Sequence, residues 1–293
     1  MFQGSYVALV TPFHEDGSVN IEKLKELCQW HVQNGTDGIV ALGTTGESST
    51  MSHEEDDLVV RTVLDTVNGR IPVIAGSGSN STETALMKSK TYKDLGADGL
   101  LVITPYYNKA NAKGMYRHFT EIANQVDIPM ILYNVPGRTG CNLTVDCVEA
   151  LSHHKNIVGL KEASGNISYV AQVARYVNDD FALFSGNDDM IVPIMSLGGS
   201  GVISVFANIC PKESLDIVDL CLKGDYARAK ELQLKYLDLI NALFIEVNPI
   251  PIKAALSMMG KIEDTLRLPL VSLSEKPREM LRQEMKRKGL INR

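Results

Sequence analysis

Lys161 closes the apolar run Ile157-Val158-Gly159-Leu160, a setting in which every neighbour belongs in a protein interior. Lysine is rarely buried without a partner or a purpose. In water its pKa of about 10.4 leaves only about one amine in a few thousand neutral at pH 7, whereas desolvation lowers that pKa and frees the amine as a nucleophile. A lysine so placed has the chemistry of imine formation with a carbonyl compound. A strand-end lysine that simply reaches water is the competing account of its position.

Three other places carry groups that such chemistry needs. Tyr133 ends another apolar run, and a phenol there can pass protons to and from a carbinolamine and an enamine. Thr44 and Thr45 lie between Gly43 and Gly46, a loop whose small residues let amides and hydroxyls approach a carboxylate. Arg138, in Asn134-Val135-Pro136-Gly137-Arg138, offers a planar guanidinium that can grip a carboxylate through two parallel bonds. Each has a bland alternative: a packing tyrosine, an ordinary turn, a surface ion pair.

Other motifs are weaker. Gly76-Ser77-Gly78 lacks the third glycine of a dinucleotide site, and Gly198-Gly199-Ser200-Gly201 precedes its apolar run, which puts it at the non-catalytic end of a barrel. Asp188 and Asp189 are adjacent and so rarely aim at one point, and the six histidines form no H-E-x-x-H arrangement. We expect no metal and no cofactor.

The elements that must position these groups follow from periodicity. Short runs rich in Val, Ile and Leu recur at Tyr6 to Val10, Gly38 to Leu42, Pro72 to Ala75, Gly99 to Thr104, Pro129 to Tyr133, Ile157 to Lys161, Phe181 to Ser185 and Gly201 to Val205. Between them lie amphipathic stretches such as Ile21 to Asn34, Ser52 to Val67, Thr82 to Leu95 and Lys113 to Val126. Ser52 with Glu55 resembles a capping box, and Gly35 and Gly96 sit where helices should end. Eight strands alternating with helices predict an α/β fold, a closed (β/α)8 TIM barrel with parallel strands buried on both faces. An open dinucleotide-binding sheet is the alternative, weakened because Thr11-Pro12-Phe13 rather than a glycine fingerprint follows the first run.

Catalytic groups of such barrels stand at the C-terminal ends of strands, where Thr44, Tyr133 and Lys161 all fall. After the eighth run only helices are expected, at Pro211 to Lys223, Tyr226 to Glu246, Ile250 to Met259 and Lys276 to Lys288. We therefore divide the chain into a barrel, residues 1–224, and a C-terminal helical extension, residues 225–293, with no long linker between them.

Composition limits the function classes. The chain has 293 residues, 44% hydrophobic and 22% charged, and no stretch approaches the roughly 18 apolar residues of a membrane span. Met1 to Val10 does not read as a secretion signal, so a cytoplasmic location is expected. Five cysteines without a C-x-x-C argue against a disulfide framework and a structural zinc site. A net charge of −6 disfavours nucleic acid. The basic residues from Arg278 to Lys288 alternate with Glu279 and Glu284 as on a solvated helix face.

Together, Gly43-Thr44-Thr45-Gly46-Glu47, Tyr133-Asn134-Val135-Pro136 and Gly159-Leu160-Lys161-Glu162-Ala163 resemble the pyruvate-dependent class I aldolases of the N-acetylneuraminate lyase superfamily. The likeness extends along the chain through Ile103-Thr104-Pro105-Tyr106-Tyr107-Asn108, Gly201-Val202-Ile203-Ser204-Val205 and Asn248-Pro249-Ile250-Pro251. Tyr107 and Arg138 in these contexts look like its dihydrodipicolinate synthase branch. The resemblance implies a lyase of lysine and diaminopimelate biosynthesis that joins pyruvate to L-aspartate 4-semialdehyde through an imine on Lys161. It implies that the Thr44/Thr45 loop holds the pyruvate carboxylate and that Tyr133, Thr44 and Tyr107 relay protons, Tyr107 reaching in from a neighbouring subunit. Arg138 would bind the second carboxylate, and the main chain at Gly186 and Ile203 would line the pocket.

It further implies a homotetramer built as a dimer of dimers, and a lysine effector site at Ser48, Ser49, His53, Asn80 and Tyr106. That last match is incomplete, since Thr84 beside Glu83 stands where inhibited relatives usually carry glutamate and Asp56 where some carry histidine. A sibling sugar-acid aldolase and a non-catalytic barrel that only binds a carboxylate or a partner protein remain open at this point.

Overall fold

A computed structural model describes residues 2–292. Eight parallel strands close on themselves in sequence order: β1 (Gly4–Ala8), β2 (Gly38–Ala41), β3 (Val73–Gly76), β4 (Gly99–Ile103), β5 (Met130–Asn134), β6 (Ile157–Glu162), β7 (Ala182–Ser185) and β8 (Gly201–Ser204). The closing pair aligns Gly4 with Gly201 and Tyr6 with Ile203. Helices lie between consecutive strands, as the alternation in the sequence requires.

Side-chain period explains why the strands read as continuous apolar runs. Alternate residues of each strand point to opposite faces. Tyr6, Val40, Ile74, Leu101, Ile131, Phe184 and Ile203 fill the inside of the barrel, whereas Val7, Ile39, Val73, Leu100 and Leu160 join the layer between strands and helices. Neither face meets water, so no polar alternation appears.

Helix ends follow local chemistry. Ser52 caps helix His53–Val67, its hydroxyl accepting from the Glu55 amide while the Glu55 carboxylate accepts from the Ser52 amide. Gly96, at φ +98°, ends helix Thr82–Leu95 in the left-handed conformation that glycine adopts without strain.

Two expected elements shift by two residues or more, the others by at most one. The first strand begins at Gly4 and ends at Ala8, two residues earlier than its apolar run. Its register is set by β8, for a Cβ on Gly201 would lie 1.9 Å from the Gly4 carbonyl oxygen. Leu9 and Val10 are buried past the end of the strand, with the Leu9 amide still donating to the Val40 carbonyl at 3.0 Å, so apolar character outlasts the strand by two residues. Helix Tyr226–Ala242 also stops four residues short of Glu246. The chain then turns across the C-terminal end of the barrel, where the Asn248 amide donates to the Thr45 hydroxyl at 3.0 Å.

Helix Pro211–Leu222 packs against β1 and β8, and helices Tyr226–Ala242, Ile250–Met258 and Glu275–Arg287 pack around one another beyond it. On the last of these Leu281 and Met285 face inward, Arg282 pairs with the exposed Glu279, and Arg287 pairs with Glu284, which is itself mostly buried. All five cysteines are free thiols, four of them buried and Cys141 partly so.

Candidate active site

The barrel has a cleft at each end. The larger, about 630 Å³, opens at the N-terminal ends of the strands around Phe2, Tyr6, Asp37 and Asp98. The smaller, about 280 Å³, opens at the C-terminal ends and is lined by Gly43, Thr44, Tyr133 and Arg138 among others. Chemistry on this fold belongs to the C-terminal end, and the residues singled out in the sequence collect there.

Lys161 and Tyr133 are register partners on β6 and β5. The Lys161 Nζ lies 4.3 Å from the Tyr133 ring centroid, and both side chains are buried. Burial brings the Lys161 ammonium down to about pKa 7; the Arg138 charge acts in the same direction and the Asp188 carboxylate against it. About half of the amine is therefore neutral at neutral pH. Burial raises the Tyr133 phenol, countered by the Arg138 charge and by the Thr44 side chain, so it stays protonated and able to donate.

Small residues create the space around this pair. A Cβ on Gly186 would meet the Ala163 Cβ at 2.7 Å and the Lys161 Cε at 3.2 Å, so any larger residue would press on the nucleophile. A Cβ on Gly43 would instead enter open space, which leaves that flank of the cavity free. Thr44, Thr45 and Gly46 form one turn of 3-10 helix at the end of β2. The turn is held from below by the Thr11 hydroxyl, which donates to the Gly46 carbonyl at 2.7 Å.

Arg138 sits in the short helix Pro136–Thr139 that follows β5, exposed, with Nη2 donating to the Asn248 carbonyl at 2.9 Å. Ile203 is fully buried on β8 beside Tyr6. Asp188 and Asp189 diverge as adjacent residues should: Asp189 is exposed, whereas Asp188 is buried and accepts from the Ser204 hydroxyl and the Val205 and Phe206 amides. Burial raises its carboxyl, and these three donors with Lys161 oppose the shift.

Not every sequence candidate joins the cluster. Tyr107 is 89% exposed at a left-handed φ of +72° and is not among the residues that line the cavity. Of the effector candidates, Ser48, Ser49 and Tyr106 line the same cavity as Thr44. His53 is exposed on the first turn of its helix, and the Asn80 carbonyl accepts from the Asn108 side chain at 2.9 Å. Asp56 is buried against Lys88 at 2.6 Å, with Lys88 on the cavity wall.

Three residues of this region escaped the sequence reading: Glu47 as a structural acid, Asn248 and Lys253. Lys253 is fully buried, its Nζ 2.6 Å from Glu47 Oε1 and 4.1 Å from the Phe13 ring centroid. Burial pulls its ammonium below the usual lysine range and the Glu47 carboxylate works against that. The signal was present, since Lys253 interrupts Ile250-Pro251-Ile252 and Ala254-Ala255-Leu256 much as Lys161 ends its own apolar run.

A closed (β/α)8 barrel with a dry lysine, unpaired among the described residues, beside a tyrosine at its C-terminal mouth defines a class I, Schiff-base type of site. The chain belongs to the dihydrodipicolinate synthetase family, which it matches over residues 1–288. It is 52% identical over 292 residues to the 4-hydroxy-tetrahydrodipicolinate synthase of Thermoanaerobacter sp. (strain X514), covering 99% of this chain and 98% of that one. Among solved structures it is similar to the chloride-inhibited dihydrodipicolinate synthase of Acinetobacter baumannii complexed with pyruvate, with 46% identity, TM-score 0.97 and coverage of 99% and 100%. It is equally close in shape to a dihydrodipicolinate synthase variant described as the first monomeric one, with 42% identity, TM-score 0.97 and coverage of 99% and 98%.

Proposed function

We propose that this chain is a lyase that condenses pyruvate with L-aspartate 4-semialdehyde to 4-hydroxy-tetrahydrodipicolinate, in lysine and diaminopimelate biosynthesis. The neutral Lys161 amine attacks the pyruvate carbonyl, and loss of water gives the imine. Removal of a methyl proton gives the enamine, whose carbon attacks the aldehyde. The substrate amino group then closes on the imine carbon and releases Lys161.

The observation that carries this reading is the amine itself, buried beside Tyr133 with a pKa of about 7 and no carboxylate bonded to it among the described residues. In the proposal Tyr133 and Thr44 hand protons along, with Tyr107 from a neighbouring subunit completing the relay. The Thr44–Thr45 turn holds the pyruvate carboxylate, Arg138 holds that of the semialdehyde, and the main chain at Gly186 and Ile203 lines the pocket. Because Nη2 of Arg138 is tied to Asn248, the rest of the guanidinium edge stays free for a carboxylate.

We also propose a cytoplasmic homotetramer, a dimer of dimers, with residues 1–224 as the barrel unit and 225–293 as its helical extension. The outward stance of Tyr107 supports a contribution in trans. Since one relative is described as monomeric, sedimentation must test it: a fully active monomer would remove both the assembly and the role of Tyr107. The lysine effector site at Ser48, Ser49, His53, Asn80 and Tyr106 is part of the same proposal, and turnover unchanged at saturating lysine removes it.

The central test is borohydride reduction in the presence of pyruvate. Mass spectrometry should find one reduced adduct per chain, located on Lys161, and a coupled assay should show turnover only when both substrates are present. An unmodified Lys161 would overturn the reading.

A further inference from the structure

The Thr44–Thr45 turn is gripped from above by the C-terminal helices. Asn248 donates to the Thr45 hydroxyl at 3.0 Å, and its carbonyl accepts from Arg138 at 2.9 Å. Two residues past Thr45, Glu47 ends the turn at a left-handed φ of +53°, a conformation that strains a side chain of this kind. Its carboxylate is buried and receives the Lys253 ammonium at 2.6 Å on one oxygen and the Arg267 amide at 3.1 Å on the other.

Stability does not explain such a pair. Removing two charges from water costs so much that a well-packed apolar pair of similar volume is often as stable or more so. What an ion pair adds is position: an apolar replacement tolerates a sliding contact, whereas two charges at hydrogen-bond distance do not. The pair joins positions 206 residues apart in the chain, one on helix Ile250–Met258 and the other on the loop that carries Thr44 and Thr45.

We propose that Glu47 and Lys253 are positioning residues that, with Asn248, latch the C-terminal helices onto the Thr44–Thr45 turn and hold it in the geometry that binds the substrate carboxylate. The proposal rests on the reading of that turn as the pyruvate cradle. Neither residue touches substrate. Their effect is on how well pyruvate is held, while the amine that reacts with it stays intact.

The experiment measures borohydride trapping at Lys161 against pyruvate concentration, in the full-length protein and in the double variant Glu47→Leu/Lys253→Met, with circular dichroism as the check on folding. The double variant should need roughly tenfold more pyruvate for half-maximal trapping. At saturating pyruvate its trapping should return to within about twofold of the parent, because the nucleophile is unchanged. A pyruvate dependence within about twofold of the parent overturns the latch, as does a loss that saturation does not recover. Should the double variant fail to fold, Asn248→Ala removes only the donor to Thr45 and should shift the half-saturation by about threefold or more; no shift is again a refutation. If the parent protein itself traps no pyruvate, the cradle reading fails and the latch fails with it, an outcome distinct from a parent that traps and variants that match it.

Discussion

Lys161 and Lys253 are both buried lysines set among apolar residues, yet only one is built to react. Lys253 has a carboxylate 2.6 Å away and an aromatic face beside it, so its charge is satisfied and its lone pair is unavailable. Lys161 has a phenol beside it that lines the cavity at the barrel mouth, and no carboxylate in hydrogen-bond contact among the described residues; Asp188, the acid that influences it, spends its oxygens on Ser204 and two backbone amides. Burial alone does not make a nucleophile. Burial without a partner, beside a residue that lines the cavity, does.

The sharpest way to break the comparison is to remove each lysine in turn. Lys161→Ala should lower turnover by about four orders of magnitude or more and abolish the reduced pyruvate adduct, because Lys88, the other lysine on the cavity wall, is held as a cation by Asp56. Turnover within about tenfold of the parent would sink the assignment of the amine.

Stability should separate the two lysines in sign. Lys253→Met leaves Glu47 buried without its cation, and urea unfolding should show a loss of about 3–5 kcal/mol. Lys161→Met removes a charge that had no close partner. Between about pH 7 and the ordinary lysine pKa, the unfolded chain binds a proton at Lys161 that the folded chain does not, so that group's penalty is full below pH 7 and fades as pH rises through the window. Lys161→Met should therefore gain stability at pH 6, on the order of 4 kcal/mol before repacking losses, and gain little at pH 10. A loss at pH 6 as large as that of Lys253→Met would erase the distinction.

The lysines also show what a linear sequence can and cannot tell. The barrel was legible because strand and helix periods are local, and the adjacency of β5 and β6 follows once eight parallel strands close in order; the register that sets Lys161 beside Tyr133 does not, since it shifts between Met130 and Ile131. Glu47, Asn248 and Lys253 were illegible as a unit because their partners lie more than 200 residues apart. Apolar character marked the first strand only approximately, since Leu9 and Val10 are buried past its last residue, Ala8. Tyr107 lies beyond what one chain can settle, for its side chain faces outward.

A third prediction concerns Arg138, the charge near Lys161 that is not spent on a carboxylate. Arg138→Ala should reduce kcat/KM for the semialdehyde by about a hundredfold, the cost of losing a charge-assisted carboxylate contact. Imine trapping with pyruvate should fall far less. Equal losses in both would favour a sibling aldolase whose second substrate is held elsewhere.

The smallest effect is also the most specific to Lys161. If the neutral amine is the reacting form, the rate of imine trapping at low pyruvate should fall about tenfold for each pH unit below about 7 and level off above it. An ordinary lysine would instead keep gaining to about pH 10. Tyr133 does not shape this limb, because its raised phenol remains protonated throughout. Asp188 does, because its carboxylate favours the charged amine: Asp188→Asn should move the inflection to lower pH, whereas Lys253→Met, remote from the reacting atoms, should leave it in place. An inflection near pH 10 in the parent protein would mean that Lys161 is as wet as any surface lysine, and the contrast with Lys253 would then reduce to a difference in partners alone.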